Sequence, residues 1–252
     1  TARLLAALAL MLCVFFRAQP LPAGENFREL RGDHFIVRFQ TDETFAREVL
    51  HRSERLYASI LRDLGHNQLA QPWLGERRCK ITLFRDKEGF QKKSEGVQWA
   101  EGMANYQTRE IFAYSGSPEL MPSVLPHELT HMLFRESTAP SGRVPLWRDE
   151  GVALSQEEEK RDELYRAAAK AFQNGTSMPF RDMAGVRDAR GMDSAQAQIF
   201  YAQSLAAVNY LKDSFPKDKF LKFCRLIGEG TKAEEALKRV YGGDRIQSLQ
   251  DL

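Results

Sequence analysis

Val124-Leu125-Pro126-His127-Glu128-Leu129-Thr130-His131-Met132-Leu133-Phe134 is the stretch on which the reading of this chain turns. His127 and His131 are four residues apart. On a helix that spacing puts both imidazoles on one face, one turn apart, where both can reach one ion. Glu128 is rotated about 100° from His127 around the axis. It therefore misses the ion but can reach a water that the ion holds, as a general base must. The residues around the motif are apolar and predict a largely buried helix. A buried histidine pair beside a buried glutamate is costly unless something compensates it, and a metal does so. The bland reading, a surface helix with two idle histidines, fits these flanks poorly. Pro126 leaves two possibilities for the helix start. Either the helix begins near Leu125 with the proline in its first turn, or it begins earlier and kinks.

A catalytic zinc site takes three protein ligands and keeps a position open for water. The next candidate is Glu150 in Pro145-Leu146-Trp147-Arg148-Asp149-Glu150-Gly151-Val152-Ala153, with residues 132–149 between it and His131. That gap is long enough to turn the chain and bring a second helix back against the first. Gly151 and Ala153 are small enough for helices to approach closely. Asp149 is a rival ligand, or an orienting partner for a ligand histidine, but points about 100° away from Glu150. Without the histidines, Glu150 would read as an acidic residue favoured by the helix dipole. Together, His127, His131 and Glu150 predict one Zn²⁺ per chain.

Working outward, residues 34–39 alternate as a strand and 42–64 recur at helical spacing up to Gly65. A strand at 79–84, a short helix capped by Asp86 and running to 93, and strands at 103–108 and 110–114 follow. The last two suggest a hairpin turning at Thr108-Arg109. From 119 onward the pattern is helical: the motif helix, one helix over 146–173, a third at 194–212, and shorter ones at 215–227 and 232–240. A sheet-rich stretch (30–116) followed by a helical one (119–245) predicts an α+β fold. Its expected layout is an N-terminal mixed sheet with helices, then a helical C-terminal half, with the active-site helix between them. Residues 24–252 are expected to form one catalytic domain. Trp147 reads as a packing anchor, and His34, His51 and His66 as ordinary core or surface residues.

With 36 basic and 34 acidic residues, the formal net charge is +2. This balance gives no reason to expect a nucleic-acid or anionic-membrane partner. Residues 4–16 are an uninterrupted apolar run between Arg3 and Arg17, the length of a signal-peptide core and short for a membrane span. A leader at 1–23, a Pro/Gly linker at 20–24 and export are expected, with an uncleaved N-terminal anchor as the alternative. Cys13 invites a lipoprotein reading, but Leu12 stands where a small residue would. Cys79 and Cys224 read as buried free thiols, although export would permit their pairing.

His-Glu-Leu-Thr-His, the gap, and Trp-Arg-Asp-Glu-Gly-Val-Ala together resemble the gluzincin branch of the zinc metallopeptidases. Within it the chain is most similar to the bacterial peptidase-MA-like family. Leu83-Phe84-Arg85-Asp86-Lys87-Glu88-Gly89-Phe90, residues 102–106 and Ile111-Phe112-Ala113-Tyr114 resemble that family's upstream sheet. Ser177-Met178-Pro179-Phe180 and Phe200-Tyr201-Ala202-Gln203-Ser204 resemble recurring segments downstream. The resemblance covers about residues 30 to 245, and a few more residues are expected after Tyr241-Gly242-Gly243. It implies a zincin-like fold and a metallo-endopeptidase acting on peptide or protein substrates, with Glu128 as the general base. It also implies an oxyanion donor on a downstream helix, for which Tyr201 is the candidate and Tyr210 a weaker rival. The competing reading of Tyr201 is a core tyrosine, since it shares a helical face with Leu205 and Val208. Residues 102–105 faintly resemble an exopeptidase motif but lack its glutamate, so an exopeptidase is not expected. The strand at 110–114 is expected to form the upper rim of the cleft, where an extended peptide could pair.

Two other functions remain open at this level. One is a metal-dependent amidase acting on a non-peptide amide. The other is a non-enzymatic binding module, against which Glu128 argues, because binding needs no general base beside a metal.

Overall fold

The computed structural model describes residues 26–40, 42–66, 69–93, 101–138, 144–189, 191–242 and 246. The expected leader, Cys13 and the 20–24 linker lie outside them. Two compact units are present. One takes the described residues up to Leu61 and from 69 to Met132; the other takes Arg62–His66 and those from Leu133 onward.

The first unit is built on a five-stranded sheet of order β1-β2-β3-β5-β4. Its strands are β1 (Arg28–Arg31), β2 (Phe35–Phe39), β3 (Cys79–Phe84), β4 (Gly102–Asn105) and β5 (Glu110–Tyr114). β2, β3 and β5 are parallel; β1 and β4 close the edges antiparallel, so the sheet is mixed as expected. β1 is the strand that the sequence did not announce. Arg28-Glu29-Leu30-Arg31 has no apolar face, which suits a charged, solvated edge.

Register sorts the sheet into two faces. Phe35, Val37, Phe39, Cys79, Ile81, Leu83, Ile111 and Ala113 share one and are buried. Phe84, Met103, Phe112 and Tyr114 share the other and pack around Phe90 of helix α2 (Lys87–Lys93). Helix α1 (Glu43–Asp63) buries Ala46, Val49, Leu56, Tyr57 and Ile60. Asp42 caps it through the Thr44 N–H at 2.8 Å, and Gly65 at φ 71° ends it.

Two strand expectations are corrected. The strand expected at 103–108 stops at Asn105, whose Oδ1 accepts from the Gln107 and Thr108 amides at 3.0 and 3.1 Å. An asparagine that bonds the backbone ahead of it replaces the ladder with a turn, and Arg109 completes that turn at φ 52°. β5, expected to form the rim, instead lies between β3 and β4. Both its edges are paired, so β4 is the outer strand on that side.

The second unit is helical. Its helices are α4 (Leu146–Leu154), α5 (Glu158–Gln173), α6 (Phe180–Gly185), α7 (Ser194–Asp213), α8 (Lys217–Gly228) and α9 (Ala233–Tyr241). The single helix expected over 146–173 is therefore two. It breaks at Ser155-Gln156-Glu157, where the Ser155 hydroxyl bonds the Val152 carbonyl at 2.7 Å and Glu157 leaves helical geometry at ψ 84°. The break lets α4 and α5 each pack against α7. Asp193 caps α7 through the Ala195 and Gln196 amides, both at 2.9 Å. Asp63, in the segment that joins this unit, accepts from Gln156 Nε2 at 2.8 Å and Lys212 Nζ at 2.6 Å. Trp147 is fully buried and meets Phe180 edge-to-face. Cys79 and Cys224 are buried free thiols, and burial pushes the Cys224 thiol up to about 11.

Gly151 is where α4 meets α7. A Cβ there would lie 2.3 Å from the Ser204 carbonyl oxygen and 2.6 Å from Val208 Cγ2. Neither helix backbone can yield cheaply, so Gly151→Ala should cost about 2 kcal/mol. A thermal melt checks this; a shift within about 1 °C of wild type would show that α4 and α7 are not in tight contact.

In the first unit, Glu101 accepts from Lys87 Nζ at 2.7 Å, from Ser117 Oγ at 3.1 Å and from the Tyr114 hydroxyl. Burial pushes its carboxyl up, but the Lys87 and Tyr114 bonds outweigh burial and hold it below the ordinary glutamate value. A depressed carboxyl stabilises the fold above its unfolded pKa, and that contribution is lost as pH falls through the folded value. Glu101→Gln should therefore lower the urea midpoint at about pH 7 and approach wild type near about pH 3. An equal gap at both pH values would contradict it.

Candidate metal centre

Helix α3 (Leu125–Thr138) carries the histidine motif. A single π turn, Leu120–Val124, runs directly into it, with the Val124 N–H bonded to the Glu119 carbonyl at 2.9 Å. The two possibilities left by Pro126 are thus resolved. In α geometry its ring would strike the carbonyl of residue 122; the wider turn relieves that clash and leaves Pro126 in the first turn of α3. Gly102 lets this turn approach the sheet, since a Cβ there would lie 2.4 Å from Val124 Cγ1.

Every residue from Ser123 to Phe134 is buried. A helix apolar on all sides except for His127, Glu128, Thr130 and His131 has to satisfy those four groups internally. Thr130 does so locally, its hydroxyl donating to the Pro126 carbonyl at 2.6 Å. His127 and His131 bring their Nε2 atoms 3.0 Å apart, with rings 84° apart in plane. That separation is close to the roughly 3.3 Å expected of two imidazole nitrogens on one tetrahedral zinc. Glu128, 6% exposed, accepts at Oε2 from the Tyr106 hydroxyl at 2.8 Å. The Tyr106 ring also stands edge-on to His131, with centroids 6.0 Å apart.

Glu150 is 1% exposed. One ligand atom from each of His127, His131 and Glu150 lies within 4.8 Å of the others. Two imidazoles and a carboxylate are a donor set that zinc accepts, so these three buried side chains fit the ion. Asp149, the rival, is turned elsewhere: its Oδ2 accepts from Arg135 Nε at 3.0 Å and from Arg135 Nη2. This pair ties α4 to α3.

Tyr201 is buried at 6% exposure and meets Phe200 edge-to-face. It shares an α7 stripe with Ser204 and Val208, the two residues that face Gly151. Tyr210 is 44% exposed and its ring meets Phe215. Gln203 joins the two downstream segments singled out in the sequence, accepting from the Met178 amide at 2.7 Å and donating to the Met178 carbonyl at 2.9 Å. Of the other histidines, His34 pairs with Glu54 at 2.7 Å and stacks on Tyr57, while His51 is exposed. Tyr106 is the site residue that sequence reasoning missed. Its signal was the Asn105 turn, which ends β4 one residue before it.

A mixed sheet followed by helices, with a buried His-Glu-x-x-His helix and a group able to hold a metal, defines a metalloenzyme class of site. Residues 97–252 match the model of the Peptidase MA superfamily, and the chain belongs to that superfamily. Membership points to a peptidase of the metal-dependent kind and fits a zincin-like fold. No curated protein matches the chain.

Two outcomes follow for the site. His131→Ala should weaken binding of a divalent cation at the His127, His131 and Glu150 group, read by titrating metal-free protein with zinc; unchanged binding would contradict the group. Arg135→Ala should cost about 3 kcal/mol, because it removes the guanidinium from a carboxylate only 2% exposed. Asp149→Ala should cost less, about 2 kcal/mol, since Arg135 can reach water. Urea unfolding gives both values, and the reverse order would contradict the reading of this pair.

Proposed function

We propose that this protein is a zinc-dependent endopeptidase. The observation that carries the reading is the buried set His127, His131 and Glu150 with Glu128 on the same helix as the histidines. Membership in a superfamily of peptidases supports it. Peptide or protein substrates follow from the same membership.

His127, His131 and Glu150 would hold the ion, which when bound supplies Lewis acidity and a more acidic water. Glu128 accepts a proton as the water oxygen bonds the scissile carbonyl carbon. The carbon–nitrogen bond then breaks, and Glu128 delivers that proton to the departing amine. Burial of Glu128 keeps bulk water from competing for the proton. Tyr201 is proposed to donate its hydroxyl to the oxyanion of the tetrahedral intermediate. The helix that bears it packs on α4, which bears Glu150. Export is proposed from the apolar run at 4–16. No helix among the described residues is long and apolar enough to cross a membrane.

A digest of a synthetic peptide library, read by mass spectrometry, tests the activity directly. Wild type should release internal fragments in a zinc-dependent manner. Glu128→Gln should lower the rate by about a thousandfold or more while retaining zinc; hydrolysis at the wild-type rate would remove Glu128 from its role. Tyr201→Phe should slow turnover about 10- to 100-fold at unchanged zinc content, and a wild-type rate would make it a packing residue.

A further inference from the structure

We infer that Tyr106 is a positioning residue for Glu128, fixing the carboxylate that the peptidase reading above makes the general base; the inference rests on that reading. The contact is direct, the Tyr106 hydroxyl donating to Glu128 Oε2 at 2.8 Å. A carboxylate can rotate about its last carbon–carbon bond. Holding Oε2 stops that rotation and presents Oε1 in one direction.

The turn that carries Tyr106 is itself held on several sides. Asn105 Oδ1 accepts from the amides of Gln107 and Thr108, the two residues after Tyr106. Arg109 occupies the left-handed region at φ 52°, and its Nη1 donates to the Arg77 carbonyl at 3.1 Å. A non-glycine residue in that region is uncommon and has to be stabilised by its surroundings. The Thr108 hydroxyl donates to Glu110 Oε2 at 3.0 Å, joining the turn to β5. The Tyr106 ring stands 78° from the His131 ring. One side chain thus contacts both the general base and a proposed ligand, from an element outside the motif helix.

Preorganisation is where such a contact acts. Displacing a reacting group by about 1 Å can cost on the order of a hundredfold in rate. Removing the hydroxyl should therefore affect turnover and leave substrate binding and metal binding alone. Phenylalanine keeps the ring beside His131, so a merely packing role predicts no change.

Two measurements on the full chain test this. In the first, Tyr106→Phe should lower kcat about 10- to 100-fold, with KM within about threefold and zinc content unchanged. An unchanged kcat in an active background overturns the inference. The second uses zinc-free protein and needs no activity: a double-mutant cycle of Tyr106→Phe and Glu128→Ala on the unfolding equilibrium. The two changes should be coupled by about threefold or more in the equilibrium constant, and strict additivity overturns the inference. If wild type cuts no peptide, the peptidase reading fails by itself, and the cycle still decides whether Tyr106 holds Glu128.

Discussion

A helix buried on every side has no water to offer a polar side chain, and α3 carries His127, Glu128, Thr130 and His131 within five consecutive positions. Each unmet polar atom there would cost about 1–3 kcal/mol. That constraint shapes what surrounds the helix. Thr130 turns back on its own backbone, Glu128 takes the Tyr106 hydroxyl, and the two histidines converge on one point. At 3.0 Å one neutral imidazole can donate to the other, and the same convergence suits a shared cation.

Delivering such a helix requires unusual backbone at both ends of the chemistry. Before it, Pro126 makes ordinary α geometry untenable, and a π turn takes up the difference. Gly102 provides the space for that turn against the sheet. After it, Gly151 lets α4 approach the carbonyl of Ser204 on α7. Both glycines are thus requirements of close approach, one beside the histidines and one beside Glu150. The ion pair of Arg135 with Asp149 adds a directional restraint, because a guanidinium fork binds a carboxylate in few geometries. Neighbouring carboxylates on α4 therefore divide their tasks: Asp149 fastens the helix, and Glu150 joins the metal-capable group.

Much of this was legible in the amino-acid order. Periodicity located α1, α7 and β3, and Gly65 marked the end of α1. Local chemistry without a periodic signature was harder. Arg28–Arg31 has no apolar face and was invisible as a strand, since an edge strand can be held by backbone bonds alone. The break at residues 155–157 escaped notice because a helical pattern resumes on its far side. What it permits is tertiary, the separate packing of α4 and α5 on α7.

For the site, the spacing of His127, Glu128 and His131 is a property of any α-helix, so sequence by itself determined that these residues share a surface and what chemistry they suit. The distant Glu150 could be named as a candidate by residue type and gap length, as could Asp149. Tertiary structure separated them, turning Asp149 to Arg135 and leaving Glu150 within 4.8 Å of the histidine nitrogens. It also moved the sheet's outer strand from residues 110–114 to β4 and brought Tyr106 to Glu128. The physical reason is range. Helical spacing acts over one turn and is written in the chain, whereas strand order and a hydroxyl's choice of partner depend on contacts between segments far apart along it.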